Sequence, residues 1–128
     1  KMKLLVFGNP LVEKDSLALK LLPKLKKDFH DIEFKEFDPT ENLESEIENG
    51  KLFILDVVEG IDEVRLIKDI GKLEIIKSCS MHDFDLAYNL KLLKKIGKLK
   101  EVEIIGVPMD MSEKEAFREV SNILLKYN

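Results

Sequence analysis

Apolar positions along the chain fall into short runs with two different periods. Residues 3–7 are an almost unbroken apolar run closed by Gly8-Asn9-Pro10, which predicts a buried strand and a turn. Leu17, Ala18, Leu21, Leu22, Leu25 and Phe29 then recur at helical spacing and predict a helix over 15–29. Pro23 stands inside that pattern, where its missing backbone donor should kink or split the helix. Residues 32–37 alternate apolar and charged, as in a strand with one less buried face. Asp38-Pro39-Thr40 is expected to open a short acidic helix carrying Leu43 and Ile47, with Asn49-Gly50 as its stop.

Residues 52–58 are apolar except for Asp56, the pattern of a central parallel strand nearing its C-terminal end, and Gly60 follows. Two short apolar runs, 64–67 and 73–76, read either as a pair of strands or as irregular structure around Asp69-Ile70-Gly71. Leu86, Leu90 and Leu93 predict a helix over 83–96 stopped by Gly97, and 102–107 reads as the last strand. Ser112 and Glu115 have capping-box spacing ahead of a C-terminal helix whose stripe is Ala116, Phe117, Val120, Ile123, Leu124 and Tyr127. Alternation of strands and helices at these lengths, with right-handed crossovers, predicts an α/β fold: a three-layer α/β/α arrangement around a mostly parallel, mixed sheet of about five strands.

Composition narrows the function classes. With 128 residues and 45% hydrophobic content, one domain over 2–128 with a true core is expected, and Lys1 ahead of Met2 is left outside it. A net charge of −4 argues against a nucleic-acid partner, which needs a basic face. No apolar run approaches the roughly 20 residues that span a bilayer, and the N-terminal residues lack a signal-peptide pattern, so a cytoplasmic protein without a membrane partner is expected. A single cysteine, Cys79, cannot form an internal disulfide and agrees with a reducing compartment. Lysine far outnumbers arginine, and Gln and Trp are absent, a thermophile-like bias.

Open α/β sheets bind ligands outside the carboxyl ends of their strands. Sequence position alone puts three candidate metal ligands there: Asp15 after the first strand, Asp56 near the end of the third, and His82 ahead of a helix. Two carboxylates and an imidazole suit a divalent transition ion such as nickel or zinc, with a coordination position left open. Each has a plainer reading. Asp15 stands where a helix N-cap belongs, and both roles can coexist. Asp56 is harder to explain away, because an unpaired carboxylate inside an apolar strand is costly. His82 could cap its helix or face solvent. Cys79 shares metal-ligand spacing with His82 but reads as a small buried hydrophobe. Ser80 has no His and Asp relay, and Gly8 belongs to neither a dinucleotide fingerprint nor a P-loop. Lys91, Lys94, Lys95, Lys98 and Lys100 crowd a helix end and read as a solvated face.

These motifs, taken in order, resemble the hydrogenase maturation endopeptidases. The resemblance is carried by Gly8-Asn9-Pro10-Leu11 leading to Asp15, Phe53-Ile54-Leu55-Asp56 with Gly60, Ser80-Met81-His82, and Glu103-Ile104-Ile105-Gly106-Val107-Pro108. It implies an α/β enzyme that removes the C-terminal extension of a nickel-iron hydrogenase large-subunit precursor after nickel insertion. The family's metal-contacting and catalytic positions fall on Asp15, Asp56 and His82. The implied nickel is presented by the precursor itself, with other divalent ions able to substitute, and the protein is expected to be a monomer. The chain departs from the family pattern at Lys14-Asp15, where many relatives carry an acidic pair, at Ser16-Leu17-Ala18 and Asp38-Pro39-Thr40, where they carry glycines, and at Glu59, where an Asp is common. The alternative is a non-catalytic α/β module, either a metal-dependent checkpoint that holds the precursor or a regulatory domain. A receiver-like version lacks its acidic pair after the first strand.

Overall fold

The computed structural model describes residues 2–8, 16–37, 41–69, 71 and 86–127. Among these, five strands form one sheet: β1 (Met2–Phe7), β2 (Ile32–Phe37), β3 (Lys51–Val58), β4 (Arg65–Ile67) and β5 (Glu101–Pro108), in the order β2-β1-β3-β5-β4. β1 pairs in parallel with β2 and β3, and β3 with β5, while β4 lies antiparallel on β5. The expected mostly parallel, mixed α/β sheet is therefore present.

Alternation along the central strands assigns each side chain to a face. Leu4, Val6, Leu55, Val57, Ile105 and Val107 pack against α1 (Leu17–Asp28) and α3 (Glu113–Leu124). Leu5, Phe7, Leu52, Ile54, Val102 and Ile104 pack on the other face, against α2 (Leu86–Lys95) and a 3-10 turn, Leu43–Glu46. Two cores back to back make the three layers. Each fully buried Leu or Ile contributes roughly 1.5–3 kcal/mol, so these interleaved strands supply most of the stabilisation.

Helix ends follow local chemistry where their caps are visible. α3 begins at Ser112, whose Oγ accepts the Glu115 N–H at 3.2 Å, as the capping-box spacing predicts. α2 ends in a Schellman motif: Gly97 N–H donates to the Lys94 carbonyl at 3.1 Å, and Lys98 N–H to the Leu93 carbonyl at 3.0 Å. That geometry needs a left-handed residue, and Gly97 has φ +82°. α1 starts later than expected, with Ser16 at its N-cap and no side-chain capping bond. Pro23 does not split α1, which is continuous through it. Its ring lies on the exposed side, where water can satisfy the carbonyl that loses its donor.

Two further expectations are corrected. The predicted acidic helix is only the 3-10 turn, N-capped by Asn42, whose Oδ1 accepts from Glu44 N–H at 3.0 Å. Its expected start at residues 38–40 lies outside the described residues. Asn49-Gly50 is not a helix stop but a tight reversal into β3. Glu48 and Lys51 exchange both backbone hydrogen bonds, and the two central residues have φ +54° and +75°, as a type I′ turn requires. Of the two short apolar runs, the first forms β4; the second, 73–76, lies outside the described residues, as do 83–85 at the expected start of α2.

Candidate functional site

β1 sends the chain to one side of the sheet, into α1 and β2, whereas β3 leads to the other side, into β4, α2 and β5. The direction of winding changes between β1 and β3, and at such a switch point a crevice opens outside the carboxyl ends of the strands. Register places Leu5 beside Ile54 and Val6 beside Leu55, so the last residue of β1, Phe7, comes level with Asp56.

Asp56 is fully buried, with no exposed surface, although six of its seven β3 companions carry apolar chains and only Lys51 is charged. It shares the α2 face with Leu52 and Ile54. A lone ionised carboxylate in such surroundings would cost several kcal/mol, and Asp56 accordingly has an interaction partner. Packing alone gives no reason for an acid here, since every neighbour on this face of β3 is apolar.

Across the ladder from Asp56 is Gly106 of β5. A Cβ built there would meet Val58 Cγ2 at 3.1 Å and Ile67 Cδ1 at 3.3 Å, with Ile61 Cδ1 at 3.5 Å. Its missing side chain lets β4 and the loop after β3 close over β5 beside the carboxylate. In the sequence Gly106 was visible only as part of a motif; a glycine inside an otherwise apolar strand was the signal of close approach.

The other two candidates, Asp15 and His82, lie outside the described residues. Asp15 immediately precedes the α1 N-cap, Ser16, which is buried. His82 stands four positions ahead of Leu86, where α2 begins. α2 returns to β5 through the short loop 96–100, so its C-terminal end lies by the start of β5 and its N-terminal end points towards the carboxyl edge. Among the described residues, no three His, Cys, Asp or Glu side chains gather as a metal-binding group. Asp56 is thus the member of the expected trio whose setting the structure describes.

Another charged cluster lies away from the switch point. Glu46 on the 3-10 turn accepts hydrogen bonds from Lys3 Nζ at 2.9 Å and Lys35 Nζ at 2.6 Å, and Glu48 lies 3.2 Å from Lys3. Burial alone would raise the Glu46 pKa, but the hydrogen bonds from Lys35 and Lys3 outweigh it and hold the carboxyl below its ordinary value. This cluster fastens the 3-10 turn across β1 and β2, and its internal charge pairing suits a structural role. At the far end of the chain, the Tyr127 hydroxyl donates to Glu103 Oε2, and burial together with that bond raises the phenol's pKa.

The fold and its edge define a class: an open, doubly wound α/β protein with a buried carboxylate at the switch point. Comparison with known families then identifies which one. The chain belongs to the hydrogenase maturation protease family (HycI), whose model matches residues 36–123. That span includes Asp56 and His82, while Asp15 precedes it. Among solved structures, the NiFe hydrogenase maturation protease HybD from Thermococcus kodakarensis is similar over 99% of both chains, with a TM-score of 0.64 and 20% identity. At that identity the likeness speaks for the fold. A search of curated proteins gives no match. None of the described helices is long and apolar enough to cross a membrane.

Proposed function

We propose that this chain is a nickel-dependent endopeptidase that removes the C-terminal extension of a nickel-iron hydrogenase large-subunit precursor after nickel has been inserted. The observation that carries the reading is Asp56: a completely buried carboxylate at the sheet's switch point, in a chain of the maturation protease family. In this reading the nickel belongs to the substrate. It arrives held by the precursor, and Asp15, Asp56 and His82 complete its coordination only when the precursor docks.

A donor set of two carboxylates and one imidazole suits this task. Three protein ligands leave coordination positions for the donors that the precursor already supplies, which lets the site discriminate a nickel-loaded precursor from an empty one. The ion held in register polarises the scissile carbonyl, while Asp15 or Asp56 accepts a proton from the attacking water. Hydrolysis adds that water across the amide, giving a new carboxylate on the precursor and a free amine on the released extension. The protein acts as a single domain over 2–128, as a monomer, in the cytoplasm.

The test is to incubate the chain with nickel-loaded and nickel-free precursor and to weigh the products by mass spectrometry. Loss of the extension only from the loaded precursor is expected. Intact mass in both would refute the peptidase reading, and a stable stoichiometric complex with intact mass would make the chain a metal checkpoint instead.

A further inference from the structure

Helix α2 presents two different surfaces. Leu86, Leu90 and Leu93 are buried against the sheet. On its outer side Tyr88 and Leu92 are 62% and 43% exposed, and Ile96, just past Lys95 with its N–H still bonded to the Leu92 carbonyl at 3.0 Å, is 54% exposed; the spacing of four residues stacks the three in a line one turn apart. Scattered exposed apolar residues are ordinary, but an aligned row of large ones is not.

Beside this row the helix is basic. Lys91, Lys94 and Lys95 project from the flank between the exposed row and the buried face, and the span from Leu86 to Lys95 holds no acid. That flank forms one wall of an open cleft of about 740 Å³, lined by Lys68, Asp69, Lys91, Lys94, Lys95 and Leu99. Lys68 lies 3.3 Å from Glu103, and Lys91 is also engaged. Lys94 and Lys95 have no ion pair among the described residues. Among the described residues the cleft carries a surplus of positive charge, opposite in sign to the chain's overall charge of −4.

Charge selects the occupant. A symmetric dimer through this face would bring its lysines near their own copies, a like-charge arrangement that opposes association. A partner with acidic side chains around apolar ones satisfies both the row and the cleft. The cleft also lies away from the switch point. It reaches from Leu99, ahead of β5, to Lys68 beside Glu103, while Gly106 is level with Asp56, so at about 3.3 Å per residue it lies roughly 10 to 23 Å along β5 from that position.

We infer that the outer face of α2 and the adjoining lysine cleft form a secondary docking surface for an acidic, apolar-tipped patch on the folded part of the hydrogenase precursor. The identity of that partner rests on the function proposed above. Binding here, remote from the cleaved bond, would hold the precursor in register without taking part in the chemistry.

The experiment compares the full chain with two surface variants, Lys94→Glu/Lys95→Glu and Leu92→Ser/Ile96→Ser, using nickel-loaded precursor. KM, kcat and equilibrium Kd are measured at low and high salt. Both variants should raise KM and Kd roughly tenfold with kcat little changed, and charge reversal should flatten the salt dependence of Kd. Wild-type KM, Kd and salt dependence in both variants would overturn the inference while leaving the peptidase reading intact. Binding that the variants weaken, without cleavage by any form, would support the docking surface and remove the peptidase reading. No binding of the precursor by the unaltered chain, or loss of self-association as the only effect of the variants, would overturn the docking surface.

Discussion

Replacing Glu46 by alanine should destabilise the protein more than any exposed salt-bridge change. Glu46 is 5% exposed and bonded to two ammonium groups, at 2.9 Å from Lys3 and 2.6 Å from Lys35. A buried charge-assisted hydrogen bond contributes about 1.5–3 kcal/mol. The two bonds do not count equally. Lys35 is 41% exposed, so solvent screening reduces its share to about 1 kcal/mol or less. Lys3 is only 13% exposed but keeps Glu48 at 3.2 Å after the substitution. The expected loss is therefore about 2–3 kcal/mol, or roughly 10 °C in Tm for a chain of this length. The effect should also depend on pH. Glu46 has a folded pKa below its ordinary 4.5, so its stabilisation is present above 4.5 and disappears as pH falls through the folded value. For Lys3, burial lowers the pKa but the bonds to Glu46 and Glu48 outweigh it, leaving the folded value above 10.5; that contribution is complete below 10.5 and fades as pH rises through the folded value. Urea unfolding of wild type and Glu46→Ala at neutral and acid pH reads the loss and its dependence on the Glu46 carboxylate. A variant within about 0.5 kcal/mol of wild type, with the same pH slope, would refute the assignment of this cluster as a buried brace.

Two other substitutions probe the site and the frame that carries it. Asp56→Asn keeps the shape of a buried side chain while removing its charge, so precursor cleavage should fall at least about a hundredfold while thermal unfolding shifts by no more than about 2 kcal/mol; retained cleavage would remove Asp56 from the chemistry. Gly97→Ala should cost about 1 kcal/mol in urea unfolding through backbone strain alone, because φ is +82° and nothing lies within 4 Å of the added Cβ; an unchanged midpoint would mean that the α2 C-cap relaxes without penalty.

In the proposed function the buried carboxylate has a role that packing does not supply. Natural cores admit an acid among apolar neighbours when function requires it, at some cost in stability. Gly106 makes the complementary concession by omitting a side chain where β4 and the loop after β3 approach. The pair sits across one ladder position of β3 and β5, so a change at either is felt at the other.

Much of the fold was legible because burial imposes a period on sequence. The apolar run around Asp56 fitted a strand covered on both faces, and Leu86, Leu90 and Leu93 fitted one side of a helix, as the structure has them. The Ser112 capping box and the Gly97 stop were equally readable, since each depends on a few adjacent residues. Local rules left open whether Pro23 kinks or splits its helix, and the split did not occur, because what a lost backbone bond does depends on which side of the helix meets water. They misjudged Asn49-Gly50: the pair signals a left-handed turn equally after a helix or before a strand, and only the partners of Glu48 and Lys51 decide which.

What the sequence by itself determined was the inventory: which segments are strands and helices, that Asp56 is an acid in an apolar strand, and the order of motifs shared with a protease family. What only the tertiary structure decided was which distant residues meet. Strand order put Asp56 at the switch point beside Gly106, joined Glu46 to Lys3 and Lys35, and turned Tyr88, Leu92 and Ile96 outward beside a lysine cleft. Such pairings depend on crossover direction and sheet register, which are set by the summed burial of the whole core rather than by any local run of residues.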